Sequence, residues 1–350
     1  VTGRIVLFGA TGFTGGRTAE AMLARGLRPV LAGRNPEALG ARLGCETARA
    51  DVTDMASVAA LVEPGDVLVS TVGPFAELGG AALAAVVAAG ATYLDSTGEG
   101  PFLREVFELQ GPAAQRSGAR LVPAFGYDFV PGVLAGALAL REAGEQAARV
   151  DVGYFLTGGG RWFSRGTAES AVSIASSPAF AVADGALVTE PGGRRLRTYL
   201  VDGVPRPAFS IGALEHFALP RLAPGLRTVD VHLGWFGRAS TAIHRLPPPP
   251  GIALRGLRRL TTRIPREPDP AAAAAARSET VAEVFDAGGT LLARTRLRFG
   301  DPYSLTAALL AWGAAHASEI EGVGALDPVS AFGLDALVDS ACAAAGITIE

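Results

Sequence analysis

Glycines at positions 9, 12 and 15 are the first residues whose type and spacing could do chemistry. They follow four apolar residues, Ile5-Val6-Leu7-Phe8, and lead into a helical pattern over about 13–25 that Gly26 is suited to close. Between a strand and a helix, one such glycine permits the tight turn and a second lets backbone approach a pyrophosphate. The third lets helix and strand pack closely. The helix N-terminus adds unpaired N–H groups and a partial positive charge. In a chain with 45 glycines the same spacing also arises by chance, so an ordinary turn is the alternative.

Further candidates lie where later strands should end. A dinucleotide fold that prefers NAD usually carries an acid about 20 residues after the first turn, bonded to the ribose 2′-hydroxyl. Here that region reads Ala32-Gly33-Arg34-Asn35, and the guanidinium of Arg34 suits a 2′-phosphate, which points to NADP(H). Asp51 could meet the adenine edge or simply enter a helix. "STVGPF" (70–75) places Thr71, Val72, Gly73 and Pro74 where open α/β sheets bind ligands, against the nicotinamide ribose or as a plain strand-to-helix turn. "YLDSTGE" brings Tyr93, Asp95 and Glu99 to the same edge, and "FGYDFVP" brings Tyr127 and Asp128. Ionisable groups at adjacent strand ends suit proton transfer.

In the second half, "GGGRWFSRGTAES" (158–170) joins a glycine loop to Arg161 and Arg165 and enters a helix through Gly166 at about Thr167; it reads either as an anion site for a substrate carboxylate, thioester or phosphate or as a plain surface loop. "GIALRGLRRLTTRIPR" (251–266) carries five arginines and no acid. It offers a carrier-protein contact, a peripheral lipid contact or a solvated face.

These residues need elements to hold them. Strand and helix patterns alternate over the first 130 residues, with strands at 5–8, 29–33, up to 51, 66–73, 92–99 and 120–126. Asn35-Pro36 and Pro101 open helices, and Gly118 ends one. Six strands with intervening helices predict an α/β, Rossmann-type doubly wound parallel sheet. From about 148 the pattern turns to antiparallel strands, with a hairpin about Gly288-Gly289 and helical stretches such as 167–183. Two helices, about 304–318 and 328–345, close the chain. The division expected is a dinucleotide-binding domain over 1–132, completed by helices in 301–350, and an inserted α+β substrate and dimerisation domain over 133–300.

Composition narrows the function. With 49% hydrophobic residues, 19% charged residues and a net charge of −3, the chain reads as folded and not as a general nucleic-acid binder. No run suits a bilayer span, and with a first strand starting at Arg4 or Ile5 no signal peptide is expected. Two cysteines and four histidines form no ligand pattern, so a metal-free, cytoplasmic protein is expected. There is no lysine at all. Schiff-base chemistry, a GxxxxGK phosphate loop and the Tyr-x-x-x-Lys acid of short-chain dehydrogenases are all excluded.

"VLFGATGFTG", "LAGRN", "STVGPFAELGG", "ATYLDSTGE" and "GARLVPAFGYDFVPG" occur in the order seen in saccharopine-dehydrogenase-like oxidoreductases, which the chain resembles. The resemblance includes their actinobacterial trans-acting enoyl reductases. "SRGTAES", "DPYSLTAALLA" and "GALDPVSAFG" extend it more weakly to the C-terminus. It implies a Rossmann domain binding NADP(H), with Gly9, Thr11, Gly12, Phe13, Thr14, Arg34, Gly73 and Pro74 in cofactor roles, and hydride transfer as the ancestral activity. The expected function is NADPH-dependent reduction of a C=C or C=N bond in a largely apolar metabolite, free or carrier-tethered, with Tyr127, Asp95 or Glu99 delivering the proton. A homodimer is expected, and the competing class is a non-catalytic NADP-binding scaffold at a lipid or carrier surface.

Overall fold

A computed structural model describes residues 3–157, 164–169, 178–245, 256, 259–265 and 267–350. The chain divides into two compact units. The first comprises Val1–Gly98, Phe102–Asp128 and Tyr303–Ala345; the second comprises Glu99–Pro101, Phe129–Pro302 and Gly346–Glu350.

The first unit is built on strands β1 (Ile5–Phe8), β2 (Val30–Gly33), β3 (Thr47–Arg49), β4 (Val67–Ser70), β5 (Thr92–Asp95) and β6 (Arg120–Val122). Every residue of β1, β4 and β5 is buried, as the apolar runs require of strands covered on both faces. A seventh strand, Gly324–Ala325, joins beside β6. From that edge the order continues β6-β5-β4-β1-β2-β3, all pairs being parallel. The chain therefore runs outward from β1 to β3, then restarts at β4 on the other side of β1. That reversal opens a crevice at the carboxyl ends of β1 and β4.

Several boundaries differ from the sequence reading, each for a local reason. The fourth and fifth strands stop at Ser70 and Asp95, where the chain turns. Pro36 caps the helix Glu37–Leu43 instead of opening it, and Gly44 closes that helix at φ +65°. The helix entered near Pro101 contains a π-helical turn, Glu105–Gln110, before Gly118 ends it at φ +79°. The last helical stretch breaks at Gly333, φ +81°.

The second unit carries a nine-stranded mixed sheet. Its strands are β7 (Arg149–Thr157), β8 (Ala179–Ala183), β9 (Ala186–Glu190), β10 (Leu196–Val201), β11 (Val204–Ser210), β12 (Thr228–Leu233), β13 (Arg277–Phe285), β14 (Leu291–Phe299) and, after Gly324–Ala325 (β15), β16 (Thr348–Ile349). The order is β10-β11-β12-β7-β13-β14-β16, with β8 on β12 and β9 on β8. The β13–β14 hairpin turns at Gly288-Gly289, with Gly289 at φ +86°. The helical stretch expected over 167–183 is corrected at its end, since 179–183 is strand β8 paired with β9; 170–177 lie outside the described residues.

The helix Val130–Ala143 packs on one face of β7, β13 and β14. On the opposite face, Arg197 bridges Asp151 and Glu283, which face each other across the β7–β13 pair. Arg149 also pairs with Asp151, and Arg294 with Glu283. Burial of these charges is tolerable because each is paired.

Candidate functional site

All the loops that follow β1 to β6 leave one edge of a parallel sheet, which brings residues far apart in sequence to one rim. At its centre, Gly9 has φ +90°, open to glycine, and an added Cβ would lie 2.7 Å from Thr71 Oγ1. Thr71 locks the reversal point: its N–H donates to Phe8 O (2.9 Å), and its hydroxyl reaches Phe8 O and Gly9 O (3.2 Å each). Gly15 presses the helix Phe13–Ala24 onto this turn, where a Cβ would lie 2.8 Å from the carbonyl carbon of Gly9. Gly12 behaves differently. Its φ of −76° suits any residue, and a Cβ would meet only Gly9 O, at 3.2 Å. It is exposed and caps the helix without a side-chain bond, and no acid occupies the first turn. The N–H groups from Phe13 onward point out of that helix start without intrahelical acceptors. An uncapped, acid-free N-terminus beside exposed glycine backbone fits a pyrophosphate.

Arg34 is exposed directly after β2. Asp51 stands close by, after β3. Its carboxyl is held below the usual range by hydrogen bonds from Thr53 N (2.9 Å) and Thr53 Oγ1 (2.8 Å), and to a lesser degree by the Arg34 charge. Thr11 approaches Gly33 on the same side. Thr14 accepts the Thr18 hydroxyl at its carbonyl (2.9 Å), and the Phe13 ring meets Tyr303 edge-to-face at 5.0 Å. Thr71 and Val72 are half-buried beside β1, Gly73 is exposed, and the Gly73-Pro74 peptide is cis.

The ionisable residues separate into distinct roles. Asp95 is fully buried, and its Oδ1 accepts Thr97 N and Ala124 N (2.8 Å each), so it braces the loops after β5 and β6. Tyr127 is buried, and its N–H donates to Thr306 Oγ1 (3.0 Å). Glu99 is fully buried and belongs to the second unit. Asp128 is half-buried, and desolvation pushes its carboxyl up to about 7. The sequence puts Asp128 at this edge beside Tyr127, and desolvation by the surrounding fold, which no sequence pattern announces, sets it apart.

In the second unit, Arg165 donates Nε–H to Ile264 O (2.8 Å) and its own N–H to Pro265 O (3.1 Å), holding that segment. The Ser164 hydroxyl accepts Thr167 N (3.3 Å) at the start of the helical residues 165–169, which include Gly166. Arg161 and half of the basic stretch 251–266 lie outside the described residues. Among those described, no His, Cys, Asp and Glu cluster could hold a metal, and no helix is long and apolar enough to cross a membrane.

Residues 5–122 match the family model of the saccharopine dehydrogenase NADP-binding domain. A putative trans-acting enoyl reductase of Mycobacterium tuberculosis is 41% identical over 138 residues, covering 36% of this chain and 33% of the relative. The trans-acting enoyl reductase of Mycobacterium ulcerans is 37% identical over 137 residues, with the same shares. The match thus spans about a third of the length of these curated relatives. Apo saccharopine dehydrogenase (L-Glu forming) from Saccharomyces cerevisiae aligns over 99% of both chains with a TM-score of 0.64 and 15% identity. Homospermidine synthase from Legionella pneumophila, solved with NAD, aligns over 100% of this chain and 91% of its own, with a TM-score of 0.67 and 11% identity. At these identities the two structures share the fold.

Proposed function

We propose that the chain, whose residues 5–122 match the saccharopine dehydrogenase NADP-binding domain, is an NADPH-dependent reductase acting on a polarised C=C or C=N bond of a largely apolar, carrier-tethered metabolite. The uncapped, acid-free start of the helix Phe13–Ala24, set at the strand-order reversal, carries this reading. The names of the aligned relatives favour an enoyl C=C substrate. Backbone from Gly9 to Thr14 holds the pyrophosphate, Arg34 the 2′-phosphate and Asp51 the adenine edge, while Thr71 to Pro74 wall the nicotinamide ribose. NADPH, when bound, supplies the hydride. The protein's own part is to orient the acceptor bond, exclude water and provide a proton from the rim formed by β5 and β6.

Consumption of NADPH in the presence of enoyl and imine thioesters on a pantetheine carrier tests the reading. Substrate-dependent oxidation supports it, and tight NADPH binding with no oxidation across the panel supports the scaffold class instead. Cofactor choice has its own test. Arg34→Ala should weaken NADPH binding roughly ten- to a hundredfold, since a charge-assisted bond contributes about 1.5–3 kcal/mol. NADH binding should hardly change, and equal loss for both cofactors would remove Arg34 from the 2′-phosphate.

A further inference from the structure

We propose that Asp128 is the residue that delivers the proton in this reduction, from the carboxyl end of β6 against the loop that follows β5. The assignment rests on the reductase reading above. Strands β5 and β6 pair in parallel from Thr92 with Arg120 to Leu94 with Val122, so their following loops leave the sheet side by side. Asp95 ties those loops together: its side chain takes Thr97 N and Ala124 N, and its main-chain oxygen takes Phe125 N at 2.7 Å. The result brings Gly98 against Asp128. A Cβ on residue 98 would lie 2.8 Å from the Asp128 Oδ2 and 3.0 Å from its Cγ, so the carboxyl occupies space that a glycine leaves open.

Asp128 keeps part of its surface accessible, which a group exchanging protons with substrate and water requires. Desolvation raises it from the ordinary 3.8 to about 7, and no charged or titratable group among the described residues contributes to that rise. Near neutral pH the carboxyl is then present in both forms, as suits a general acid that must be recharged each turnover. Of the other ionisable residues that the sequence assigns to this edge, Asp95 braces the loops, Tyr93 and Tyr127 are buried, and Glu99 belongs to the second unit.

The step balances as follows. Hydride adds to one atom of the double bond, and the π electron pair moves to the other. That second atom takes the proton from the Asp128 O–H, and the resulting carboxylate is reprotonated from solvent. NADPH is the reductant and leaves as NADP⁺.

The test compares wild type with Asp128→Asn, or Asp128→Ala if the amide does not pack, by thermal melting from pH 4 to 8, NADPH titration and turnover against pH. A carboxyl raised in the native state favours folding fully below its unfolded value, and that contribution is lost as pH rises through about 7. The variant should therefore melt close to wild type at pH 4 and several degrees above it at pH 8. NADPH affinity should stay within about twofold, and turnover should fall about a hundredfold or more. Wild type should slow above about pH 7, and the variant should lack that decline. A melting difference that is flat with pH makes Asp128 an ordinary carboxyl and overturns the assignment whatever the substrate. Turnover and pH profile like wild type overturn it as well. Wild type that binds NADPH but oxidises none with any substrate overturns the reductase reading, and with it the role of Asp128.

Discussion

Gly12→Val should abolish measurable NADPH binding, a loss of more than about a hundredfold, while the apo protein still folds. The expectation follows from what each glycine of the turn does. At Gly9 a side chain would strain a φ of +90° and strike Thr71; at Gly15 it would strike the backbone of Gly9. Both changes damage the fold. At Gly12 the backbone is extended and the only near atom is Gly9 O, so valine is accepted at the level of the chain. Its methyl groups then fill the space where backbone must approach the pyrophosphate. Loss of the glycine cap costs about 1 kcal/mol or less, which for a unit of this size is roughly 2–4 °C in melting temperature. The paired measurement is an apo melt and an NADPH titration. A variant that melts near wild type and binds NADPH normally would show the turn to be no cradle.

Arg197→Ala should destabilise the second unit by about 3 kcal/mol, a fall of roughly 6–12 °C in its melting transition. Arg197 spans β10, β7 and β13 by contacting Asp151 and Glu283, whose side chains are 1% and 8% exposed. Its guanidinium also lies 5.0 Å from the ring centres of Tyr199 and Phe285. Removing it leaves two buried carboxylates sharing fewer cations, although Arg149 and Arg294 still reach them, which places the cost at the low end for a broken buried pair. Arg227→Ala is the matched control. Its partner Asp184 and Arg227 itself are both exposed, so the loss there should stay below about 1 kcal/mol. Calorimetric melts of the two variants decide the matter; equal losses would mean that the buried bridge contributes no more than a surface pair.

The parallel sheet and its glycine turn were legible because their determinants are local. Ile5 to Phe8 form a buried strand, Gly9 needs a positive φ, and Gly26 and Gly118 end helices in the left-handed region, all within a few residues of the pattern that announced them. What escaped depends on partners distant in sequence. Gly324–Ala325 becomes a strand only by pairing with β6, and two small residues carry no strand period of their own. Asp95 and Asp128 look alike as acids at or beyond the carboxyl ends of adjacent strands. Backbone donors at Thr97 and Ala124 make one a brace, while crowding beside Gly98 makes the other a raised carboxyl. The ion bridge at Arg197 was invisible for the same reason, since strand register alone sets Asp151 opposite Glu283.

The most direct test of the account is isotopic. The protein is incubated with NADPH deuterated at C4 and an enoyl thioester on a pantetheine carrier, and the product is weighed by mass spectrometry. The account predicts one deuterium transferred from the cofactor to the former double bond, and one further hydrogen drawn from solvent, shown by repeating the reaction in D₂O. A protein that binds NADPH tightly yet passes no deuterium to any enoyl or imine acceptor would contradict it.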